Sequence, residues 1–267
     1  MTIKLYRRMS LGLLPFLLLL PKYIVQADQL TEDGSVTVKG AGTTIPMDPE
    51  KPGEPVNPGP GPSTEGSLRI DFISNLNFGR AEITEKKRQF FSQAQLFYSD
   101  TSPRGYYIQI TDERQRADGW TLQVKQEYQF RNTVIAHKSE QELKGSVLSF
   151  DNGWANSLGV SVMKAPIVTR DTIELNAIGE SYEVAKAENN TGMGIWTIEF
   201  GASETNDTNQ KVTISPLKDT NNEPILDSNY QKQAYSNSAV SLTVPKETRI
   251  FPVEYETEIT WTLAKLP

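Results

Sequence analysis

The chain has 267 residues, no cysteine, one histidine and a net charge of −6. The missing cysteines exclude disulfides, a thiol nucleophile and a lipid-bearing Cys. Net acidity also argues against attraction to nucleic acid or to anionic wall polymers, which select basic surfaces.

Residues 1–27 read as a secretory signal. Lys4, Arg7 and Arg8 give a positive start, residues 11–20 are apolar apart from Gly12 and Pro15, and Val25-Gln26-Ala27 fits a cleavage site. The apolar run is about half of the roughly 20 residues that a spanning helix needs. Cleavage there removes four of the 27 Lys+Arg and none of the 33 Asp+Glu, leaving 23 against 33, a net −10. The sequence reaches Leu266-Pro267 without the apolar tail and basic stop of a covalent sorting signal, so surface retention is expected to be non-covalent.

Residues 28–66 are expected to form a Pro/Gly-rich disordered spacer. Pro46, Pro49, Pro52, Pro55, Pro58, Pro60 and Pro62 favour extended, polyproline-like chain. Ser35-Val36-Thr37-Val38-Lys39 alternates and is either disordered or a strand added to a sheet edge.

From residue 67 to 267 the pattern predicts an all-β domain, a β-sandwich or barrel. Short alternating runs follow one another: Leu68-Ile70-Phe72, Tyr106-Ile108-Ile110, Val160-Val162, Trp196-Ile198-Phe200, Val212-Ile214 and Val240-Leu242-Val244. Polar, turn-rich spacers separate them. The best helical candidate is the weak pattern over 83–97. About 200 residues suffice for a core without disulfides.

A tripeptide is repeated. Trp120-Thr121-Leu122 and Trp261-Thr262-Leu263 each sit in a run that alternates apolar with polar residues. Trp120, Leu122, Val124, Tyr128 and Phe130 share one face; Tyr255, Thr257, Ile259, Trp261 and Leu263 share another. The two strands either pair in one sheet or face each other across a core.

With their flanks, these motifs resemble the WxL domain, a surface-attachment domain of Gram-positive bacteria. The resemblance runs from Leu68-Arg69-Ile70-Asp71, Asn75 and Phe78-Gly79, through Tyr107-Ile108-Gln109-Ile110-Thr111-Asp112 and Gly119-Trp120-Thr121-Leu122, to Leu143-Lys144-Gly145. It continues at Gly192, Gly194, Trp196, Phe200 and Gly201, and ends at Val240-Leu242-Val244-Pro245 and Tyr255 through Leu263. One departure is the run Asp112-Glu113-Arg114-Gln115, where the family carries an Arg-Gly turn. The resemblance implies attachment to the cell wall, with peptidoglycan as ligand, and partnership with membrane-anchored companion surface proteins and other WxL proteins. A host-directed adhesin that binds matrix proteins is the alternative.

The tryptophans have two readings: indoles stacked on wall sugars, or core residues. Leu122, Val124, Ile259 and Leu263, in register with Trp120 and Trp261, favour the core. Trp154 follows Asp151-Asn152-Gly153 in a turn and is the candidate exposed aromatic. No catalytic residue stands out, since His137 is the single possible histidine base and has no nucleophile motif beside it. No cofactor or metal is expected; Glu204 and Asp207 miss the spacing of a calcium loop.

Overall fold

The computed structural model describes residues 44–266, apart from 82, 84–87 and 160–164. The signal segment, Ser35 to Lys39 and the Val160-Val162 run lie outside the described residues. The strands begin with β1 (Leu68–Ile73), β2 (Gln89–Gln93), β3 (Tyr106–Asp112), β4 (Trp120–Gln126) and β5 (Val147–Phe150). Next come β6 (Gly153–Asn156), β7 (Ile167–Val168), β8 (Ile173–Leu175), β9 (Ser181–Ala187) and β10 (Gly194–Phe200). The last are β11 (Ile214–Pro216), β12 (Leu226–Asp227), β13 (Lys232–Gln233), β14 (Tyr235–Thr243) and β15 (Ile259–Lys265).

The domain is all-β, and every strand pairing is antiparallel. One sheet has the order β1-β3-β10-β6, and a second β15-β4-β9-β7. A third runs β11-β14-β5-β8 with β2 on β14, and β12-β13 form a hairpin. β1 touches β15 and β6 touches β7, so the first two sheets meet at both edges and make a barrel-like ring. The third sheet adds Leu148, Phe150, Val240 and Leu242 to the same apolar core.

Alternation works as expected where one face meets that core. In β4, Trp120, Leu122 and Val124 are buried, while Thr121, Gln123 and Lys125 are half-exposed. β3 departs from this, because all seven of its residues are buried. Its Tyr106, Ile108 and Ile110 face the core. Its Tyr107, Gln109 and Thr111 face a second layer.

That layer corrects the spacer expectation. From Thr44 to Gly66 the Pro-rich segment is a strap packed on the outer face of the β1-β3-β10 sheet. Asp48 and Glu50 are buried, and Val56 joins Phe72, Phe97 and Tyr107 in a small apolar cluster. Gly61 lies so close to Phe72 that any side chain there would collide with the ring. Residues 46–56 fold back on themselves, with Asp48 N–H on Glu54 O and Val56 N–H on Pro46 O, and the prolines leave few N–H donors to be satisfied against the sheet.

Of the segment 83–97, expected to be helical, the described residues 88–97 hold no helix: Gln89–Gln93 is β2, pairing Phe90 with Leu242 and Phe91 with Ser241. A weak helical period yields to the partner strand that β14 offers.

Candidate functional site

The two Trp-x-Leu strands lie side by side. β15 pairs with β4 so that Leu263 opposes Leu122 and Trp261 opposes Val124. Leu122 is fully buried and Leu263 half-buried on this face, while Thr121 and Thr262 point the other way and are half-exposed. Trp120 has 0% and Trp261 4% of its surface exposed. The Trp261 ring stacks on Tyr106 at 6.0 Å and meets Phe150 edge-on at 5.7 Å. Burial raises the Tyr106 pKa above its ordinary value, against a smaller opposing effect of its hydrogen bond with Trp261.

Each of the other indoles donates to a backbone carbonyl in the glycine-rich segment or just after it. Trp120 Nε1 donates to Gly192 O (3.1 Å), Trp154 Nε1 to Gly201 O (2.8 Å) and Trp196 Nε1 to Met193 O (2.9 Å). Gly192 has φ +76°, and a Cβ there would sit 2.8 Å from Trp120 Nε1, so only glycine admits this indole. Trp154 is 4% exposed, which corrects its reading as an exposed aromatic. The turn at Asn152 (φ +51°) swings it onto β6, opposite Glu199. The tryptophans thus belong to the interior.

The departure at Asp112-Glu113-Arg114-Gln115 has a structural substitute. Arg114 grips the Asp112 carboxylate through Nε (2.8 Å) and Nη2 (2.7 Å), and Nη2 also reaches Gly119 O. The left-handed position moves to Gly119, φ +78°. His137 is exposed, as are Glu204 and Asp207, and the described residues hold no group of three or more His, Cys, Asp or Glu placed to bind a metal.

A buried ionic cluster under the strap was not foreseen. Arg104 Nε and Nη2 donate to both oxygens of Asp48 at 2.6 and 2.7 Å, and Nη1 lies 3.1 Å from Glu50 Oε2. Ser203 N and Oγ close the cluster on Glu50 at 2.6 and 2.7 Å. A second network joins Arg69 to Asp71 and Glu113, with Thr111 and Gln109 donating to Asp71. Asp48-Pro49-Glu50, two acids among prolines, was the sequence signal available.

Glu199 sits beside this cluster. Its Oε1 accepts the Gly105 N–H at 2.7 Å, and its Oε2 has no partner. Burial pushes its pKa well up, reinforced by Glu50 and Asp48 and opposed by the Gly105 N–H and Arg104. The neutral acid therefore suits the fold. Its contribution is complete below the unfolded-state pKa, about 4.3, and is lost as pH rises towards the folded value. Glu199→Gln, which stays neutral, is expected to flatten that decline and to raise the urea midpoint at neutral pH. Midpoints measured from about pH 4 to pH 8 check this; parallel profiles for variant and wild type would mean that Glu199 is ionised in the fold.

One surface cleft, of about 90 Å³, opens between the loop after β1, the end of β2 and the β12-β13 hairpin. Asn75, Gln93, Asp227, Asn229, Tyr230 and Tyr235 line it.

Two paired tryptophan-bearing strands, with a glycine seat for the indole of Trp120, define an all-β domain with an aromatic core. The chain belongs to the WxL domain family, described as surface cell wall-binding, whose model matches residues 25–267. No curated protein and no solved structure matches it. A cell wall-binding domain acts at the cell surface, and no helix among the described residues is long and apolar enough to cross a membrane.

Proposed function

We propose that this domain holds a secreted protein on the wall by direct, non-covalent recognition of peptidoglycan, and that it catalyses no reaction. It does so as a subunit of a surface complex with membrane-anchored companion proteins and other WxL proteins. The observation that carries this reading is the family match across residues 25–267. The net −10 of residues 28–267 supports short-range contacts over charge attraction to anionic polymers.

The test is co-sedimentation of residues 28–267 with sacculi stripped of protein and teichoic acids, at low and high salt. Pelleting is expected and should be insensitive to salt, since charge attraction would be screened. A chain that stays in the supernatant would place its attachment on a protein partner instead. Tighter binding to host matrix proteins than to sacculi would favour an adhesin.

A further inference from the structure

The cleft beside the β12-β13 hairpin combines three properties. First, it gathers polar groups that the fold does not use. Among the described residues, the side-chain amides of Asn75, Gln93 and Asn229 have no protein hydrogen-bond partner. Each carries two donors and an acceptor oxygen. Asp227, by contrast, is engaged: its Oδ1 accepts the backbone N–H groups of Asn229 (2.8 Å) and Tyr230 (3.0 Å). No Lys or Arg is among the lining residues, so a phosphate or carboxylate ligand finds no counter-charge and meets a carboxylate.

Second, Tyr230 and Tyr235 line the cleft, and Tyr230 is braced from behind. Tyr230 and Tyr98 lie ring to ring at 4.8 Å, and Tyr98 is 52% exposed. Tyr230 donates its hydroxyl hydrogen to Pro58 O at 2.6 Å, and Gln95 Nε2 donates to the Tyr230 oxygen at 3.1 Å. Tyr98 N donates to Asn57 O at 2.8 Å. The strap thus fixes the Tyr230 ring, limiting the order that binding must impose. Such rings offer an apolar face with a polar tip.

Third, the cleft is small. Sites that enclose a whole small molecule measure about 300–1,000 Å³, several times the 90 Å³ here. It suits a pendant group of a longer chain whose remainder runs over the surface.

We propose that this cleft binds a neutral N-acetylated glycan, with an acetamido group held by Asn75, Gln93 and Asn229 and the apolar face of a sugar ring on Tyr230. The choice of a glycan rests on the wall-attachment reading above; neutrality, the pendant group and the ring contact rest on the cleft itself. An extended peptide is the competing ligand, and the stem-peptide arm below separates the two.

The experiment is an NMR titration of isotope-labelled residues 28–267 with chitotetraose, a neutral chain of N-acetylglucosamine. The side-chain amide signals of Asn75, Gln93 and Asn229 are expected to shift saturably. The double variant Asn75→Ala, Asn229→Ala, and separately Gln93→Ala, should each weaken binding about tenfold or more, roughly 1.4 kcal/mol, with melting unchanged. Absence of saturable shifts at millimolar sugar, or shifts confined to another surface, overturns the proposal. So does a sugar-free stem peptide that moves these amides where chitotetraose does not. If the double variant pellets with sacculi like wild type, the cleft is not the wall contact, and the proposal falls while wall attachment stands. If chitotetraose binds the cleft but wild type ignores sacculi, wall attachment falls and the cleft stands.

Discussion

Replacing Arg104 by methionine is expected to destabilise the domain by about 3–5 kcal/mol, the range for breaking a buried ion pair from one side. Arg104, Asp48 and Glu50 have side chains only 3%, 1% and 1% exposed. Burial works against the guanidinium charge, yet the hydrogen bond and charge of Asp48, with Glu50 and Glu199, hold its pKa above the ordinary value. Methionine fills part of the volume but leaves two carboxylates without a counter-charge. Arg104→Lys should fall between, because an ammonium cannot grip both Asp48 oxygens. Adding Asp48→Asn and Glu50→Gln to Arg104→Met should restore part of the loss, since the cost lies in the unpaired charges. Urea unfolding followed by tryptophan fluorescence reads all of these. A chain beginning at residue 67 discards the strap, takes both Asp48 and Glu50 from Arg104 and uncovers Arg69, which keeps Asp71 and Glu113, so it should be less stable than any of the point variants. Equal stability of that truncation and the full domain would remove the structural role given to the strap.

Trp261→Ala should also cost about 3–5 kcal/mol, the usual range for deleting a buried large aromatic side chain. The ring is enclosed by Tyr106, Phe150 and the β4 face, on three different sheets. Removing it opens a cavity where the sheets converge, which a rigid shell closes poorly. Trp261→Phe should recover much of the loss, though not the hydrogen bond with Tyr106. Chemical denaturation of both variants checks this. If Trp261→Ala melts like wild type but no longer pellets with sacculi, the ring is a wall contact and its interior role is wrong.

The motif strands were legible because one side of each faces the core, and burial of alternate residues writes itself into the sequence. Their pairing was not, since a period of two carries no information about partners. β3 illustrates a further limit: Gln109 and Thr111 read as a solvent face, and only the strap, with Thr44 and Met47 near their network, makes that face interior. Proline spacing in 44–66 suggested extended chain and showed neither the turn that folds 46–56 back on itself nor what the segment lies on. Trp154 was misplaced because a turn signal marks where the backbone reverses, not where the next side chain points. The cleft was invisible for a related reason, as Asn75, Gln93 and Asn229 come from three separate segments and meet only through β14 and its neighbours.

The pairing of Leu122 with Leu263 spans about 140 residues of chain. Closing so long a loop is entropically slow, and folds dominated by such contacts form slowly. A chain delivered across a membrane N-terminus first would present β4 long before β15 exists outside to cover it. Until then the Trp120 strand keeps one edge bare and the core lacks Trp261. The repeated tripeptide therefore ties the core to the last residues of the domain: until Trp261 and Leu263 pair with β4 the core lacks a strand, and a chain truncated before β15 is expected to be open to proteolysis.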